Sequence, residues 1–599
     1  MDLRQALATR ILLGDGANGT CLQRLGYHRQ PYDLAVLEAP DLVREAHARY
    51  VAAGSDFVET NTFQANRFRL PPDVDVAHLN REAVRLAREA AAEFVLGAMG
   101  PCGKPIEPIG TITREEALAS FREQASALTE AGVDGYMLET FVSLDELELA
   151  VQAVRELSDL PILAAKAFIE DGETLAQGYP EECAQRIQAM GVDALGANCI
   201  VGPQRMLDLV RMLTESTSLP VLAFPTPGMP QLVKGVVTYD TSPEYFAKAT
   251  SRLAEGGARI LGGCCGTTPE HIAALRTALD RQASKPRAAS TKAARETVRK
   301  EPAQSTPSRL SEKLGKQFVS AVEMDVLKGL NQDKLIAGCR CLHEHGVDVV
   351  NISDGARARL RMTPMAVSHL IQAQVGIDVA MHFSCRDRNL LAIQADLLGA
   401  HALGIRNLLA VTGDPANIGD YPSATSVFDI DAIGLVRILA RFNEGRDLAG
   451  ASLGTKCAFT IAAAYNPFAI DQASEDDRLR KKVESGANVV YTQPVFSREG
   501  VDRSVEACSR LGIPVLVGVL PLRSARHCEF MHNEVPGIEV PDALRARMAQ
   551  AETDAEAQAI GVEEAQKLAA WIRQCAQGIY LMPPFGNPGA ALDVLEATR

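Results

Sequence analysis

The chain has 599 residues, of which 47% are hydrophobic and 23% charged, a composition typical of a folded globular protein. Its formal net charge of −14 disfavours phosphate backbones and anionic lipid surfaces, so we expect no nucleic acid and no membrane as partners. No signal-peptide core and no apolar run of roughly 18 residues is present, which predicts a cytoplasmic location. Thirteen cysteines, an odd number at low density, favour reduced thiols over a disulfide framework.

Residues 1–280 contain eight short apolar runs that alternate with amphipathic helical stretches. Continuous apolar strands are typical of a parallel sheet covered on both faces, and eight strand-helix units of this length suit a closed (β/α)8 barrel. An open, doubly wound sheet is the alternative. The predicted strands are 11–19, 56–63, 93–101, 135–141, 161–168, 193–199, 220–228 and 258–266.

Residues 281–311 break this pattern, with eight Lys or Arg against two Glu and almost no large apolar side chain. This composition predicts a flexible basic linker. A nucleic-acid-binding arm is the alternative, but the segment has no aromatic residue on which a base could stack.

Residues 312–599 repeat the count of eight strands, and the stretch 522–577 predicts extra helices before the last strand. We therefore expect an α/β protein made of two tandem (β/α)8 TIM barrels joined by the linker. The second set of predicted strands is 318–325, 349–355, 378–385, 407–415, 458–466, 489–496, 514–521 and 578–586.

Polar residues interrupt the apolar runs where the strands end, and barrel enzymes carry their chemistry at the carboxyl ends of their strands. Both halves therefore look like enzymes. In the first half the rule selects Asp15, Glu59, Asn61, Thr62, Glu139, Thr140, Cys199, Cys264 and Cys265; in the second it selects Glu323, Asp325, Ser353, Asp354, His382, Cys385, Thr412, Asp414, Tyr465, Gln493 and Pro584.

Three of these residues are cysteines at the ends of the sixth and eighth strands of the first half. Three thiolates with one open position define a catalytic type of zinc site. Adjacent strand residues usually point to opposite faces, so inert core cysteines are the alternative for Cys264 and Cys265. The glycines around the pair could remove that objection.

The first half resembles the homocysteine S-methyltransferase family in the motifs DGANGT (15–20), ETNTF (59–63), LET (138–140), GANC (196–199) and GGCCGTTPEH (262–271). The resemblance implies that Cys199, Cys264 and Cys265 hold zinc, which activates the homocysteine thiol for attack on a methyl group. It also implies that Asp15 and Glu139 receive the substrate ammonium group. Helix capping or a structural hydrogen bond is the alternative for each acid. Thr62 is a weaker substrate-binding candidate.

The second half resembles methylenetetrahydrofolate reductase in VEMD (322–325), ISDGA (352–356), HFSC (382–385), VTGDP (411–415), AAAYNP (462–467), KKVESGANVVYTQPVF (481–496) and GIYLMPPFG (578–586). The resemblance implies an FAD-binding barrel. Glu323 matches the acid that protonates the folate, and Asp414 matches an acid near the flavin and folate rings.

The same resemblance implies which residues contact the cofactor and the folate. A satisfied core histidine is the alternative for His382, and a solvated helix face is the alternative for Lys482. The implied flavin contacts are Ser353, His382, Thr412, Gly413, Asp414, Tyr465 and Lys482, and the implied folate contact is Gln493.

Together the two halves resemble bifunctional proteins of one-carbon metabolism. We expect reduction of methylenetetrahydrofolate to methyltetrahydrofolate in the second barrel, with NADH or NADPH as electron donor, and methyl transfer from a methyl donor to homocysteine in the first. The alternative is that one barrel is active and the other is a ligand-binding or regulatory module. Assembly into a homo-oligomer is compatible with the sequence.

Overall fold

The computed structural model of the chain describes residues 2–168, 175–176, 178–233, 236–283, 303–355 and 358–598. Most of the predicted linker, residues 284–302, lies outside the described residues. The chain forms two compact units. The first consists of Met1–Ile106, Ile112–Glu301 and Leu448–Leu453, and the second of Glu107–Thr111, Pro302–Asp447 and Gly454–Arg599.

The first unit contains an eight-stranded parallel sheet in the order β1-β10-β7-β6-β5-β4-β3-β2. The backbone N–H of Asp56, next to β2, donates to Leu13 O of β1 at 2.7 Å, so the two edges of the sheet meet as in a barrel. The strands are β1 Leu12–Leu13, β2 Phe57–Glu59, β3 Phe94–Met99, β4 Gly135–Phe141, β5 Ile162–Lys166, β6 Ala194–Asn198, β7 Val221–Phe224 and β10 Ala258–Leu261, with β8 Gln231–Val233 and β9 Val236–Thr238 as a separate hairpin.

Helices alternate with these strands and pack on the outside of the sheet. Their starts follow ordinary capping chemistry: Thr113 and Glu116 form a reciprocal capping box at the start of the sixth helix. The helices are α1 Leu3–Thr9, α2 Asn18–Arg24, α3 Ala35–Glu38, α4 Pro40–Ala52, α5 Val76–Glu89, α6 Arg114–Glu130, α7 Leu144–Arg155, α8 Tyr179–Ala189, α9 Pro203–Ser216, α10 Pro243–Glu255 and α11 Pro269–Ala283.

Two apolar layers hold the first barrel together. Alternate strand residues such as Leu163 and Ala165 fill its interior, while Ile162 and Ala164 face the helices. Leu3, Ala6 and Leu7 of α1 belong to the interior cluster, so α1 packs on the barrel interior itself. The apolar side chains fill the barrel interior, and the polar side chains of the predicted site lie towards the strand ends.

The second unit contains a closed barrel in which every strand is parallel to its neighbours, in the order β12-β13-β14-β15-β17-β18-β19-β20. This confirms the predicted pair of α/β barrels. The strands are β12 Val319–Met324, β13 Val349–Ile352, β14 Asp378–Ser384, β15 Asn407–Val411, β17 Thr460–Tyr465, β18 Val489–Pro494, β19 Val515–Val519 and β20 Gly578–Leu581, with a small added pair β11 Ala303–Gln304 and β16 Thr455–Lys456.

The helices of the second unit include the predicted extra ones, because three helices stand between β19 and β20. Among the helices that the structure describes, none is both long and apolar enough to cross a membrane. The helices are α12 Arg309–Lys313, α13 Asp333–Glu344, α14 Pro364–Val375, α15 Leu390–Ala402, α16 Ala432–Asn443, α17 Gln472–Ser485, α18 Arg498–Arg510, α19 Ala525–Glu534, α20 Asp542–Ala549, α21 Asp554–Cys575 and α22 Pro588–Leu595.

Candidate active sites at the two barrel rims

Three thiols converge at the carboxyl-terminal rim of the first barrel. Cys199 follows β6, and Cys264 and Cys265 follow β10. Their Sγ atoms all lie within 4.8 Å of one another, and the Cys199 and Cys265 sulfurs are 3.7 Å apart. Among the described residues this is the one group of three or more potential metal ligands so closely spaced.

The backbone conformation around the thiols explains how the Sγ atoms of the adjacent residues Cys264 and Cys265 can belong to one cluster. Strand β10 ends at Leu261, so Cys264 and Cys265 lie in a turn to which strand alternation does not apply. A Cβ atom at Gly262 would lie 2.6 Å from the Phe224 ring, which requires glycine there. Cys199 itself has a φ of 60°, a left-handed conformation that few non-glycine residues adopt.

The three thiols hydrogen-bond one another, and this shifts their pKa values in opposite directions. Hydrogen bonds with Cys199 and Cys265, together with burial, raise the pKa of Cys264 well above its usual range. Hydrogen bonds with Cys199 and Cys264 lower the pKa of Cys265 to about 3, and a bound cation would stabilise the ionised form of all three thiols. Three sulfur atoms within 4.8 Å of one another, with Cys265 exposed to solvent, fit a zinc ion that keeps one coordination position open for a substrate.

Three carboxyl groups lie at the same rim: Asp15 after β1, Glu59 at the end of β2 and Glu139 in β4. The backbone N–H of Glu59 donates to Asp15 Oδ2 at 3.0 Å. Burial raises the pKa of Asp15 and of Glu59 well above the ordinary range, and it raises that of Glu139 to about 7. Clustered buried acids of this kind favour the arrival of a cation.

Asn198 connects the carboxyl groups with the thiols. Its Nδ2 donates to Thr140 Oγ1 at 2.8 Å and to Glu139 Oε2 at 3.1 Å, and lies 3.9 Å from Cys264 Sγ. Its Oδ1 accepts the Thr140 backbone N–H at 2.8 Å, which holds Thr140 at a φ of 64°. One buried amide thus fixes the orientation of an acid beside the thiol group.

The structure brings Asp15, Glu139 and the three cysteines of the sequence prediction together. Thr62 is fully buried, and its hydroxyl donates to Ala98 O at 2.7 Å. Asn198 and Tyr239 are not among the site residues that the sequence predicts. Tyr239 packs on Gly266, where a Cβ atom would lie 2.3 Å from its ring. Asn198 stands directly before Cys199 at the end of β6, and this position could have indicated that it belongs to the site. Tyr239 follows the β8-β9 hairpin, which the sequence patterns do not predict.

The second barrel holds Glu323 inside its sheet. The Tyr580 hydroxyl donates to Glu323 Oε2. Burial raises the pKa of Glu323, and the hydrogen bond from Tyr580 opposes that rise. The Tyr491 ring packs edge-on against Tyr580, with ring centroids 5.0 Å apart. An acid in these surroundings holds its proton to a higher pH than an exposed glutamate does.

A cavity of about 860 Å³ opens at the rim of the second barrel, a volume within the roughly 300–1,000 Å³ range of small-molecule sites. Five of the residues predicted to bind flavin or folate line it. They are Thr412, Asp414, Tyr465, Lys482 and Gln493.

The lining of this cavity contains cationic and acidic side chains in equal number. Lys482 is buried, and its Nζ donates to Ala464 O at 2.7 Å. Burial lowers the pKa of Lys482. Arg359 and Arg478 add two guanidinium groups to the same lining. The carboxyl groups of Asp414, Glu475 and Glu534 also line the cavity, so its charges balance, and its three cationic side chains are the groups that could bind the phosphates of FAD.

The remaining predicted flavin contacts lie nearby but do not line the cavity. Ser353 follows β13, and Gly413, which follows β15, has a φ of 92°. His382 is buried in β14, 3.4 Å from Asn351 Nδ2, and burial lowers its pKa to about 4. Their contact with a cofactor stays a prediction.

Sequence patterns also missed part of the lining. Phe530 and Glu534 of α19, with Val535 and Pro536 after it, contribute one wall of the cavity. They belong to the extra helices between β19 and β20, whose place in the barrel the strand-end rule does not address.

Two tandem α/β barrels, each with polar groups gathered at its rim, define the chain as an enzyme with two sites. Residues 12–279 match the family described as homocysteine S-methyltransferase, and residues 312–583 match methylenetetrahydrofolate reductase. The amino-terminal half therefore carries a homocysteine S-methyltransferase domain and the carboxyl-terminal half a methylenetetrahydrofolate reductase domain.

Curated relatives include two proteins named methionine synthase. The one from Mycobacterium leprae (strain TN) is 31% identical over 305 residues, which is 47% of this chain and 25% of the relative. The one from Mycobacterium tuberculosis (strain ATCC 25618 / H37Rv) is 31% identical over 303 residues, 46% of this chain and 25% of the relative. The matched part of the chain thus spans about a quarter of each relative's length.

The chain is also similar, over part of its length, to solved structures of the homocysteine methyltransferase MmuM from Escherichia coli. The oxidised form is 25% identical, with a TM-score of 0.39 over 46% of this chain and 98% of that one. The metallated form is 27% identical, with a TM-score of 0.39 over 46% of this chain and 99% of that one.

Proposed function

We propose that the first barrel transfers a methyl group to the thiol of homocysteine at a zinc ion held by Cys199, Cys264 and Cys265. The observation that carries this proposal is the convergence of the three sulfurs within 4.8 Å at the barrel rim. When bound, zinc lowers the pKa of a substrate thiol, and so supplies a nucleophilic sulfur at neutral pH.

The other residues of this rim bind and orient the amino acid. Asp15 and Glu139 accept hydrogen bonds from the substrate ammonium group, which offsets the cost of burying their charges. Asn198 keeps Glu139 beside Cys264, so the ammonium and the thiol of one substrate molecule are held at a fixed separation. Orientation of this kind lowers the barrier to methyl transfer.

The experiment is metal analysis of the purified full chain, followed by assays of methionine formation from homocysteine. Methyltetrahydrofolate, S-methylmethionine, S-adenosylmethionine, glycine betaine and a methylcorrinoid are supplied in turn. About one zinc per chain and methionine formed from one of these donors support the proposal. A chain without zinc that makes no methionine contradicts it.

For the second barrel we propose flavin-dependent reduction of methylenetetrahydrofolate to methyltetrahydrofolate, with NADH or NADPH as electron donor. The cavity of about 860 Å³, with Lys482, Thr412 and Asp414 in its lining, carries this proposal. When bound, the flavin supplies the hydride.

The side chains of the second barrel bind the cofactor and handle the proton. Lys482 faces the cofactor phosphates, and Gln493 faces the folate. Glu323 holds the proton that a folate nitrogen takes up as the bridging ring opens. The carboxylate of Asp414 stabilises the cation that this opening creates.

This proposal is tested by the visible absorbance of the purified chain and by rapid mixing. A flavin spectrum that bleaches with NADH or NADPH and returns on mixing with methylenetetrahydrofolate supports it. A chain reconstituted with FAD that stays reduced in the presence of methylenetetrahydrofolate contradicts it.

A further inference from the structure

One arginine of the second barrel is buried beneath the loops at its rim. Arg386 follows β14 and is only 6% exposed, and it is not among the residues that line the cavity of about 860 Å³. Its Nε and Nη2 donate to the two carboxylate oxygens of Asp387, at 2.7 Å and 2.6 Å. Burying a guanidinium group is costly even when an acid offsets its charge, so stability alone does not explain this residue.

The third arm of the guanidinium group reaches the next loop of the rim. Arg386 Nη1 donates to Asp414 O at 3.2 Å, in the loop that follows β15. The two charges also attract each other: Asp387 chiefly raises the pKa of Arg386, burial opposes that rise, and Asp414 adds to it. The arginine is therefore bound to this loop by a hydrogen bond and by charge.

The loop that carries Asp414 passes directly over the arginine. Gly413 has a φ of 92°, and a Cβ atom there would lie 2.2 Å from Ser384 Oγ and 3.3 Å from Arg386 Cβ. Ser384 Oγ also accepts the Arg386 backbone N–H at 3.2 Å, which fixes the start of the arginine side chain. A glycine gives the backbone conformational freedom, and the contact with Arg386 restricts it where Asp414 needs a fixed position.

We propose that Arg386 is a positioning residue for the reductase reaction, and that it holds the loop of Asp414 so that this carboxylate faces the reacting end of the folate. The inference rests on the proposed function of the second barrel, in which the Asp414 carboxylate stabilises the cation formed as the bridging ring opens. Arg386 acts through Asp414 and touches neither flavin nor folate. Such stabilisation needs a carboxylate that is in place before the charge develops, and a displacement of about 1 Å can cost roughly 10²-fold in rate.

The role requires an arginine and not merely a cation. The planar guanidinium group donates in three directions at once, to the two oxygens of Asp387 and to Asp414 O. A lysine ammonium is a point charge on a flexible stem and has no fixed fork. Arg386→Lys therefore keeps the charge and loses the geometry, which makes it the informative variant.

The first measurement is hydrogen–deuterium exchange of the full chain, followed on a peptide that covers residues 411–418. Arg386→Lys should increase exchange in this peptide, because the loop loses a hydrogen bond that holds it. Arg388→Lys is the matched control and should leave exchange there unchanged. Arg388 follows the same strand, its side chain is 15% exposed, and its ion pairs are with Asp354 at 3.0 Å and Asp396 at 2.9 Å.

The second measurement is a double-mutant cycle on flavin reoxidation by methylenetetrahydrofolate, with FAD in excess. Arg386→Lys should lower the limiting rate by about 10- to 100-fold, with the half-saturating folate concentration and the rate of flavin reduction retained. In the Asp414→Asn background it should cause little further loss, because the group through which it acts is already gone. Arg388→Lys should change the limiting rate by the same factor in both backgrounds.

Unchanged exchange in Arg386→Lys overturns the positioning role and leaves the proposed function standing. The same holds if the losses of Arg386→Lys and Asp414→Asn multiply in the double variant, or if Asp414→Asn reoxidises at the wild-type rate. Should Arg386→Lys fail to fold, Asp387→Asn removes the charge that orients the guanidinium group and should increase exchange in the same peptide; no increase overturns the role.

A failure of the proposed function gives a different result. A wild-type chain whose reduced flavin is not reoxidised by methylenetetrahydrofolate contradicts the proposed function, and this inference with it. The two failures are therefore distinct.

Discussion

A single hydroxyl inside the second barrel controls how strongly Glu323 holds its proton. Burial raises the pKa of Glu323, and the hydrogen bond donated by Tyr580 stabilises the ionised carboxylate and lowers it. Because the proposed reaction needs the protonated acid, reoxidation of the flavin should slow as the pH rises through this pKa.

Tyr580→Phe removes the hydrogen bond, so the pKa of Glu323 should rise and the alkaline limb of the pH profile should move to higher pH. The measurement is the rate of flavin reoxidation by methylenetetrahydrofolate across a pH series. Tyr491→Phe is the control, since Tyr491 packs on Tyr580 without bonding Glu323. A limb that stays in place, or moves to lower pH, would show that Tyr580 does not act on Glu323.

The three thiols give a second prediction for single residues. Cys265→Ala removes one ligand, so zinc affinity should fall by more than the roughly 10- to 100-fold that loss of an outer-shell partner costs. Metal analysis after dialysis against a chelator measures it. Cys575→Ala is the control, because Cys575 is an exposed thiol on α21. Full zinc occupancy in Cys265→Ala would remove this residue from the site.

At the scale of single elements, the sequence predicts all sixteen barrel strands but overstates the length of all except Gly135–Phe141. The predicted strand 11–19 is only Leu12–Leu13 in the structure, because Asp15 and the residues after it already belong to the rim. In a regular strand, the adjacent residues Cys264 and Cys265 would point to opposite faces and could not bind the same metal ion. Because β10 ends at Leu261, both lie in the turn that follows, where this alternation does not apply. The hydrophobic pattern indicates where a strand ends, but it does not predict the conformation of the turn that follows.

Because sequence patterns locate strand ends but not long-range contacts, they predict only some of the site residues. Motifs placed the thiols, Asp15 and Glu139, since each stands at a strand end. The bridging role of Asn198 depends on contacts among β4, β6 and the turn after β10, which residues far apart in sequence create. The wall formed by Phe530 and Glu534 likewise depends on how α19 packs.

Close packing at the end of β10 gives a prediction for this element. In Gly262→Ala the new methyl group would lie 2.6 Å from the Phe224 ring, so the first barrel should lose about 1–3 kcal/mol of stability. Circular dichroism in urea should show an earlier transition for this variant. The fluorescence of Trp571, the single tryptophan, follows the second barrel and should not change.

Gly202→Ala is the control for this substitution, since the nearest atom would be 3.8 Å from its new Cβ. A Gly262→Ala chain as stable as the wild type would mean that Phe224 can move aside at no cost.

At the scale of the whole molecule, each barrel has its own eight parallel strands, closed in the second barrel, and its own interior cluster. We therefore predict that residues 303–599, which keep α12 and the interior residue Leu310, fold and bind FAD when expressed alone. Flavin absorbance of the purified fragment and its thermal unfolding measure this. An insoluble fragment would mean that the second barrel depends on the rest of the chain.

We propose that one chain carries two separate chemistries, each at the rim of its own barrel. The most direct measurement assays both activities in the same preparations of wild type, Cys265→Ala and Glu323→Gln. Cys265→Ala should lose methionine formation and keep flavin reoxidation. Glu323→Gln should slow reoxidation by methylenetetrahydrofolate by roughly 10²- to 10⁴-fold, with flavin reduction and methionine formation retained. A Glu323→Gln chain whose flavin reoxidises at the wild-type rate would contradict the proposed chemistry of the second barrel, and a Cys265→Ala chain that still makes methionine would contradict that of the first.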